Sequence, residues 1–447
     1  MTSAPSPAFA AELAQRRTAF LERLGPGAVA IVASAPVHVR NNDVEHPYRQ
    51  DSDFFYLTGL DEPESLAVFS NVHGKHRFVL FVRPKDPERE TWDGPRVGVD
   101  AAPMRFACDA AFPNAERNER LPSYLENART LHFALGRDPA TDAQVLRARD
   151  LVRRRARLGV LYPATLVDLS ATVHPMRLFK SEGEIAIMRR AAEVSREAHA
   201  RAMSVARPGV LEYEVEAEML RSFRRHGAER PAYEPIVGSG PNATILHYRK
   251  NDRRLEDGDL LLIDAGCELE YYASDVTRTF PVSGRFTPAQ RRIYDVVLRA
   301  QELAIAATRP GATLESIHRL TLRSITEGLI DLGLVEGPLD TALEKELYKP
   351  FSMHRTSHWL GMDVHDVGSY FVEDGASPPV PRVLEPGQVL TVEPGIYVGA
   401  TTKAPDEYKG IGVRIEDDVL VTADGPDVLT RGIPKKPGEL EQTLAAR

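Results

Sequence analysis

The sequence predicts an α/β protein in two parts: an N-terminal α/β domain with a mixed sheet, and a C-terminal α+β domain built from an internal repeat. Residues 1–176 alternate helix-like and strand-like patterns, whereas residues 177–447 contain the series helix, helix, strand, strand twice. A chain of 447 residues is long enough for two or three domains. We therefore expect a domain boundary near residue 176.

The N-terminal part opens with an amphipathic stretch, AELAQRRTAFLERL (11–24), which predicts a helix that stops at the following Gly-Pro-Gly. A charged stretch at 142–159 predicts a further helix before the boundary. Between the two helices, short apolar runs predict buried strands: AVAIVAS, FFYLTGL, SLAVFS, HRFVLFV and LHFALG.

Two helix starts in the C-terminal part carry the same signal. Ser181 followed by Glu184 forms a capping box, and Thr287 followed by Gln290 forms another. Each helix is expected to end before the next Pro-Gly dipeptide. The two helices therefore look like copies.

The likeness extends beyond these helices. Two pairs of segments align: ARPGVLEYEVEAEMLRSF (206–223) with TRPGATLESIHRLTLRSI (308–325), and LEDGDLLLIDAG (255–266) with LEPGQVLTVEPG (384–395). An internal repeat allows each copy to present a sheet face that the other covers. We expect a pseudo-twofold axis between the halves.

The repeat places acidic residues at equivalent positions in strand-like runs. Asp264 falls on Glu393, and Asp275 falls on Glu416. Taken alone, each is an ordinary strand-end or turn acid, and Glu416 could simply pair with Arg414 at the surface. Converging buried carboxylates, however, would cost several kcal/mol each unless a cation neutralised them. The repeat therefore favours a metal site.

Histidine is the second signal. The segment HRTSHWLGMDVHDVG (354–368) contains His354, His358 and His365, and His247 precedes the first hairpin. A single histidine is more often a hydrogen-bonded core residue than a ligand. The cluster predicts one ligand, His358, with the others as hydrogen-bonding or proton-handling groups.

Four carboxylates and one imidazole form a hard, oxygen-rich donor set, which favours Mn²⁺ over thiolate-bound zinc. Carboxylates that bridge two ions would hold them roughly 3.5 Å apart and acidify a bridging water. The predicted chemistry is hydrolysis of a carbonyl or phosphoryl compound.

The composition limits the classes of binding partner and the cellular compartment that we expect. The net charge of -8, from 64 acidic and 56 basic residues, is spread along the chain without the basic face of a nucleic-acid binder. The two cysteines, Cys108 and Cys267, suit a reducing compartment. We find no signal-peptide core and no membrane-length apolar run, so we expect a cytoplasmic protein without nucleic-acid or membrane partners.

The quoted motifs, DAG with an Asp eleven residues later, HxxxHxLGxxVHD, EPGxY and GIGVRIEDD, resemble the dinuclear metallopeptidases of the pita-bread (creatinase/aminopeptidase) fold. Among these the chain is most similar to the aminopeptidase P (Xaa-Pro aminopeptidase) family. HPYRQDSDFFYLTGLDEPES (46–65) resembles that family's first domain. The resemblance covers nearly the whole chain.

The resemblance assigns the metal ligands by position. Glu393 would also accept a proton from the metal-bridging hydroxide. The ligand set that the resemblance implies, for two divalent ions, is Asp264, Asp275, His358, Glu393 and Glu416.

The resemblance also implies substrate-contacting roles. His247 and His365 would stabilise the tetrahedral intermediate, and His354 would line the proline pocket. Arg414 would support Glu416, and Tyr397 would lie beside the pocket.

Two further positions bear on assembly and specificity. Trp92 resembles a tryptophan that reaches a neighbouring subunit's active site in tetrameric relatives, so a homodimer or homotetramer is expected. Arg355 departs from the family, which often has glycine there, and could narrow the pocket or meet a substrate carboxylate.

The implied activity is hydrolysis of the N-terminal Xaa-Pro bond of peptides with proline at position two. Proline is selectable because its amide lacks an N–H and its ring is fixed. A prolidase restricted to Xaa-Pro dipeptides is the nearest alternative. A metal-free pita-bread peptide-binding module, or creatinase-like hydrolysis without metal, would be expected only if ligands had been lost.

Overall fold

A computed structural model describes residues 6–373 and 378–447. The chain divides into two compact units, Met1–Met176 and Arg177–Arg447.

The first unit alternates helices and strands. Its helices are α1 Pro7–Leu24, α2 Ser52–Thr58, α3 Pro87–Asp93, α4 Ala102–Phe106, α5 Arg117–Leu125, α6 Pro139–Arg153 and α7 Ser170–Arg177, the last of which ends at the first residue of the second unit. Its strands are β1 Ala28–Ala33, β2 Val39–Asn41, β3 Val44–Glu45, β4 Leu66–Ser70, β5 Phe78–Val82, β6 Ala110–Pro113, β7 Thr130–Phe133 and β8 Thr165–Val167.

Six of these strands form one sheet in the order β6-β5-β4-β1-β7-β8. The pairs β1/β4 and β4/β5 are antiparallel, whereas β5/β6, β1/β7 and β7/β8 are parallel. The sheet is therefore mixed, as predicted. Strands β4 and β5 are buried along their whole length, which explains their near-continuous apolar sequences.

One strand prediction was wrong. The run FFYLTGL begins within helix α2, whose N-cap Asp51 accepts a hydrogen bond from the Phe54 N–H at 2.9 Å. The helix ends at Gly59, which adopts the left-handed conformation (φ 69°) typical of a C-cap. A short apolar run has no decisive period, so the two caps determine the outcome here.

The second unit contains the predicted repeat. Its helices are α8 Glu182–Val205, α9 Glu212–Arg225, α10 Pro288–Ala307, α11 Leu314–Asp331, α12 Leu339–Glu344 and α13 Pro437–Ala445. Its strands are β9 Arg230–Pro231, β10 Ile236–Ser239, β11 Leu260–Asp264, β12 Cys267–Leu269, β13 Tyr272–Ala273, β14 Thr277–Pro281, β15 Phe371–Val372, β16 Val380–Pro381, β17 Val389–Val392, β18 Gly395–Val398, β19 Ile411–Arg414, β20 Asp417–Thr422 and β21 Gly425–Val428.

The two halves share one element order. Helices α8 and α9 precede the antiparallel pair β11/β14, and helices α10 and α11 precede the antiparallel pair β17/β20. In each half two further strands, β12 and β13 or β18 and β19, lie between the paired strands in sequence. Both predicted capping boxes are present, at Ser181 and at Thr287. The repeat of helix, helix, strand, strand is confirmed.

A hairpin separates the two acids of the first half, Asp264 and Asp275. Strands β12 and β13 pair antiparallel, and the turn between them is made by Glu270 and Tyr271, both with positive φ (50° and 71°). Gly266 instead lies at the base of the hairpin, where a Cβ would come within 1.8 Å of the Ser274 carbonyl oxygen. Glycine is therefore required there for close backbone approach.

Candidate metal centre

The four predicted acids lie at the ends of the repeated strands. Asp264 is the last residue of β11 and Glu393 directly follows β17. Asp275 lies two residues before β14, and Glu416 directly precedes β20. Each half of the repeat thus contributes two carboxylates at corresponding strand ends.

Three of the predicted ligands are within coordinating reach of one another. One ligand atom each from Asp275, His358 and Glu416 lies within 4.8 Å of the others, and all three residues are buried. The His358 Nε2 is also 3.4 Å from Asp275 Oδ2 and 3.5 Å from Glu393 Oε1. These four side chains therefore converge on one small volume.

His358 is oriented by its backbone surroundings. Its Nδ1 donates to the carbonyl of Trp359 at 3.0 Å, which leaves Nε2 facing the carboxylates with a lone pair for a cation. The main chain of His358 is fixed on Thr391 of β17, whose N–H donates to the His358 carbonyl at 2.9 Å. The irregular histidine segment is thus anchored to the strand that precedes Glu393.

Asp264 joins the cluster through two neighbours. Its Oδ2 accepts a hydrogen bond from the Arg414 guanidinium at 2.6 Å. The Tyr233 hydroxyl lies 2.6 Å from Asp264 Oδ1 and 2.5 Å from Asp275 Oδ1, and so bridges the two aspartates of the first half. Arg414 reaches Glu416 only indirectly: its Nε donates to Thr277 Oγ1 at 3.1 Å, and the Thr277 hydroxyl donates to Glu416 Oε2 at 2.7 Å.

The electrostatics of the cluster call for a cation. Burial, opposed by Arg414 and reinforced by Asp275, raises the pKa of Asp264. Burial likewise raises the pKa of Glu393 to about 7, and burial followed by repulsion from Asp275 raises the pKa of Glu416 well above its ordinary value. In the described part of the chain, Arg414 is the one permanently charged cation hydrogen-bonded to these carboxylates. Divalent metal would relieve that repulsion, so the donor set fits a metal ion.

The neighbouring carboxylates also favour the protonated form of the His358 ring. Burial by itself lowers the pKa of His358, but the hydrogen bond to Asp275 and the charge of Glu393 together raise it to about 9. A metal ligand must be deprotonated, so metal binding would displace this proton.

A second group of contacts, around Asp417 and Asp418, lies next to the proposed ligands. The Asp275 N–H lies 3.2 Å from a carboxylate oxygen of Asp418, which is buried. Neighbouring Asp417 accepts from Arg278 at 2.7 Å and from Lys435 at 2.7 Å. These ion pairs outweigh the effect of burial and lower the pKa of Asp417 to about 2.

A chain of hydrogen bonds links Arg414 to His354 beside the carboxylates. The Arg414 guanidinium donates to the Tyr397 hydroxyl at 2.8 Å, and that hydroxyl is 2.8 Å from His354 Nε2. The other ring nitrogen, Nδ1, donates to the Arg355 carbonyl at 2.8 Å and lies 3.7 Å from Glu393 Oε2. Burial, followed by the charge of Arg414, lowers the pKa of His354 to about 4. The imidazole is therefore neutral, and its Nε2 accepts a hydrogen bond from the Tyr397 hydroxyl.

The cluster opens into a cleft of about 1110 Å³. His247 and His365 line this cleft and are solvent-exposed, and the rings of His365 and His358 have centroids 4.0 Å apart. Nine of the eleven predicted site residues line the cleft, and a tenth, Tyr397, contacts two of them, His354 and Arg414. Trp92 belongs to the first unit, where it lies on α3 and is 84% exposed.

Several residues of the site were not predicted from the sequence. Tyr233 and Thr277 carry no pattern that marks them, because a single hydroxyl in a loop or strand is common. His318, on α11, also lines the cleft, and its Nδ1 lies 2.8 Å from the Thr356 hydroxyl. Asp418 could have been found, because it is an acid in the same apolar run as Glu416.

Comparison with known sequence families matches two profiles. Metallopeptidase family M24 matches residues 186–423, and the N-terminal domain of aminopeptidase P matches residues 13–132. The chain belongs to metallopeptidase family M24, with an aminopeptidase P N-terminal domain in front of the peptidase domain.

Individual relatives are similar to this chain over most of its length. The Xaa-Pro aminopeptidase of Escherichia coli (strain K12) is 45% identical over 436 residues, which are 97% of this chain and 98% of that protein. Xaa-Pro aminopeptidase 3 of Rattus norvegicus is 36% identical over 94% of this chain and 81% of that protein. The similarity therefore extends over both units.

Solved structures agree with the fold. Aminopeptidase PepP of Pseudomonas aeruginosa is 48% identical, with a TM-score of 0.95 over 100% of this chain and 99% of that chain. Aminopeptidase P from E. coli, solved with the inhibitor Pro-Leu, has a TM-score of 0.93 at 44% identity, over 99% of each chain. The pita-bread architecture predicted for the second part is thereby confirmed.

Among the described helices, none has the length and apolarity to cross a bilayer.

Proposed function

We propose that the protein is a Xaa-Pro aminopeptidase that hydrolyses the N-terminal Xaa-Pro bond of peptides. It would use two divalent metal ions, which we propose to be Mn²⁺ because the donor set is dominated by oxygen. The observation that carries the proposal is the convergence of His358 with carboxylates from both halves of the repeat, in a chain of this family. The ligands would be Asp264, Asp275, His358, Glu393 and Glu416.

Bound divalent ions would supply a Lewis acid for the scissile carbonyl and would lower the pKa of water. The protein's own side chains would transfer the protons and bind the substrate. Glu393, which lies beside His358 at the centre, would accept a proton from the attacking water and pass it to the leaving nitrogen. Proline leaves as a secondary amine, so its nitrogen needs that proton.

The exposed histidines would bind the reacting carbonyl group. His247 and His365 line the cleft beside His358, where their N–H groups would donate to the oxygen that becomes negative during attack. His354, held neutral beside Tyr397, would line the proline pocket. Arg414 would fix both Asp264 and Tyr397 and so couple the metal centre to that pocket.

The cleft supports an aminopeptidase rather than a dipeptidase. Besides the site residues it is lined by Leu314, Arg355, Tyr370 and Phe371, which provide surface for residues after proline. We also propose a cytoplasmic location, since both cysteines are buried and free. A homodimer or homotetramer would give the exposed Trp92 a role at a neighbouring active site.

The test is a peptide panel assayed with the purified protein and added Mn²⁺. We expect cleavage of Xaa-Pro-Yaa peptides and release of the first residue, with slower cleavage of Xaa-Pro dipeptides. Replacing Glu393 by Ala should lower kcat by several orders of magnitude because a ligand and proton acceptor is lost. Retained turnover in the Glu393→Ala protein would overturn the mechanism, and a strong preference for the dipeptide would indicate a prolidase.

A further inference from the structure

Arg355 lines the cleft but takes no part in the proposed catalytic steps. It follows His354 directly, and its side chain is 62% exposed at the cleft. Its guanidinium donates to Glu315 at 2.8 Å, in the first turn of α11. Glu315 is its one ion-pair partner among the described residues, which leaves further N–H donors of the guanidinium for a ligand.

The surroundings of Arg355 are those of a binding subsite. His318 lines the same cleft, and its pKa is lowered to about 4 by burial, with a smaller contribution from the charge of Arg355. Tyr370 and Phe371 line the same cleft and are 40% and 46% exposed. The cleft therefore offers aromatic side chains and the Arg355 guanidinium to a bound peptide, a combination that suits a residue that ends in a carboxylate.

The position of Arg355 along the cleft determines which carboxylate of a bound peptide its side chain could reach. The backbone of Arg355 is hydrogen-bonded to His354, whose ring lies 3.7 Å from Glu393 at the metal centre. An extended peptide advances about 3.5 Å per residue, so a group one residue beyond proline lies within the reach of a long side chain at this position. A planar guanidinium binds a carboxylate through paired hydrogen bonds.

We propose that Arg355 binds the C-terminal carboxylate of Xaa-Pro-Yaa tripeptides and so makes this protein selective for short peptides with a free C-terminus. This inference rests on the proposed Xaa-Pro aminopeptidase activity and specifies its substrate class. Glu315 holds the guanidinium at the cleft in the absence of peptide, and the incoming carboxylate shares or replaces that contact.

The test compares kcat/KM for an Xaa-Pro-Leu tripeptide with kcat/KM for the same peptide amidated at its C-terminus. We expect the wild-type protein to prefer the free acid by about fivefold, the size of an exposed ion pair, and to lose this preference at about 1 M ionic strength. In Arg355→Met the acid-to-amide ratio should fall to about one, because the alkyl stem remains and the charge is removed.

Arg249 provides the matched control. It also lines the cleft and forms an ion pair with Glu234 at 3.2 Å, and both residues of that pair are more than half exposed. The ratio in Arg249→Met should stay at the wild-type value. A wild-type ratio near one, an unchanged ratio in Arg355→Met, or a loss of preference in Arg249→Met would overturn this inference while Xaa-Pro cleavage remained. Absence of Xaa-Pro cleavage by the wild-type protein would instead reject the proposed function.

Discussion

At the scale of single residues, the candidate site is made by side chains that are ordinary by themselves. Asp264, Asp275, Glu393 and Glu416 each end or precede a strand, and only the repeat marked them as a set. The sequence could not show how they are supported, because Tyr233 and Thr277 act through hydrogen bonds between segments far apart in the chain. Periodicity was also uninformative for Glu416, since every residue of 411–420 is buried.

Asp418 offers a test of the supporting contacts. Its carboxylate accepts from the Asp275 N–H, and burial followed by the charge of Asp275 raises the Asp418 pKa well above its ordinary value. Asp418→Ala should weaken divalent metal binding by roughly 10- to 100-fold, the usual effect of removing a group that orients a ligand. Asp418→Asn retains an acceptor oxygen and should bind metal within a few-fold of wild type. Equal metal affinity for Asp418→Ala and wild type, measured by calorimetry, would contradict the account.

At the scale of elements, the caps and the repeat were predictable, whereas short apolar runs were not. Both capping boxes occur where Ser181 and Thr287 placed them, because the signal is local. Helix α2 was taken for a strand because its apolar run is short and its N-cap, Asp51, lies just before it. The turn at Glu270 and Tyr271 could not be read from composition, since neither residue favours positive φ.

Gly266 tests the packing of the hairpin that separates Asp264 from Asp275. A Cβ there would lie 1.8 Å from the Ser274 carbonyl oxygen, and backbone cannot yield as a flexible side chain would. Gly266→Ala should lower the free energy of unfolding by about 3 kcal/mol, the upper range for overpacking. Gly438→Ala, at a position with nothing within 4 Å, should change it by less than about 1 kcal/mol. Thermal unfolding of both variants measures the difference, and equal melting temperatures would show that the hairpin base is not tightly packed.

At the scale of the whole molecule, the resemblance predicted more than patterns alone could. Composition and periodicity indicated an α/β protein with an internal repeat, and the repeat indicated a metal site. The pita-bread architecture and the peptidase class came from motifs such as HRTSHWLGMDVHDVG, and the family comparison bears them out. We propose that the specificity of this particular chain depends on Arg355 and the cleft around it, which no shared motif describes.

The stability of the second unit should depend on pH through His199. This residue of α8 is fully buried, its Nε2 lies 3.0 Å from the Ala265 carbonyl oxygen, and burial lowers its pKa from 6.5 to about 4. Between pH 6.5 and about pH 4 the unfolded chain therefore binds more protons than the folded one. The free energy of unfolding should fall as the pH falls through this range. His199→Gln, which can still donate to Ala265, should show a smaller loss over that range. Identical pH profiles of unfolding for the two proteins would exclude this role.

We propose that five side chains from both halves of the repeat bind two divalent ions, and a measurement of metal stoichiometry tests this proposal. The protein would be stripped of metal, titrated with Mn²⁺ by calorimetry, and analysed for bound metal after dialysis. We predict two ions per chain for the wild-type protein and a reduced number for His358→Ala, which loses the one nitrogen ligand. A wild-type protein that binds no Mn²⁺ or other divalent ion, while remaining folded, would contradict the account.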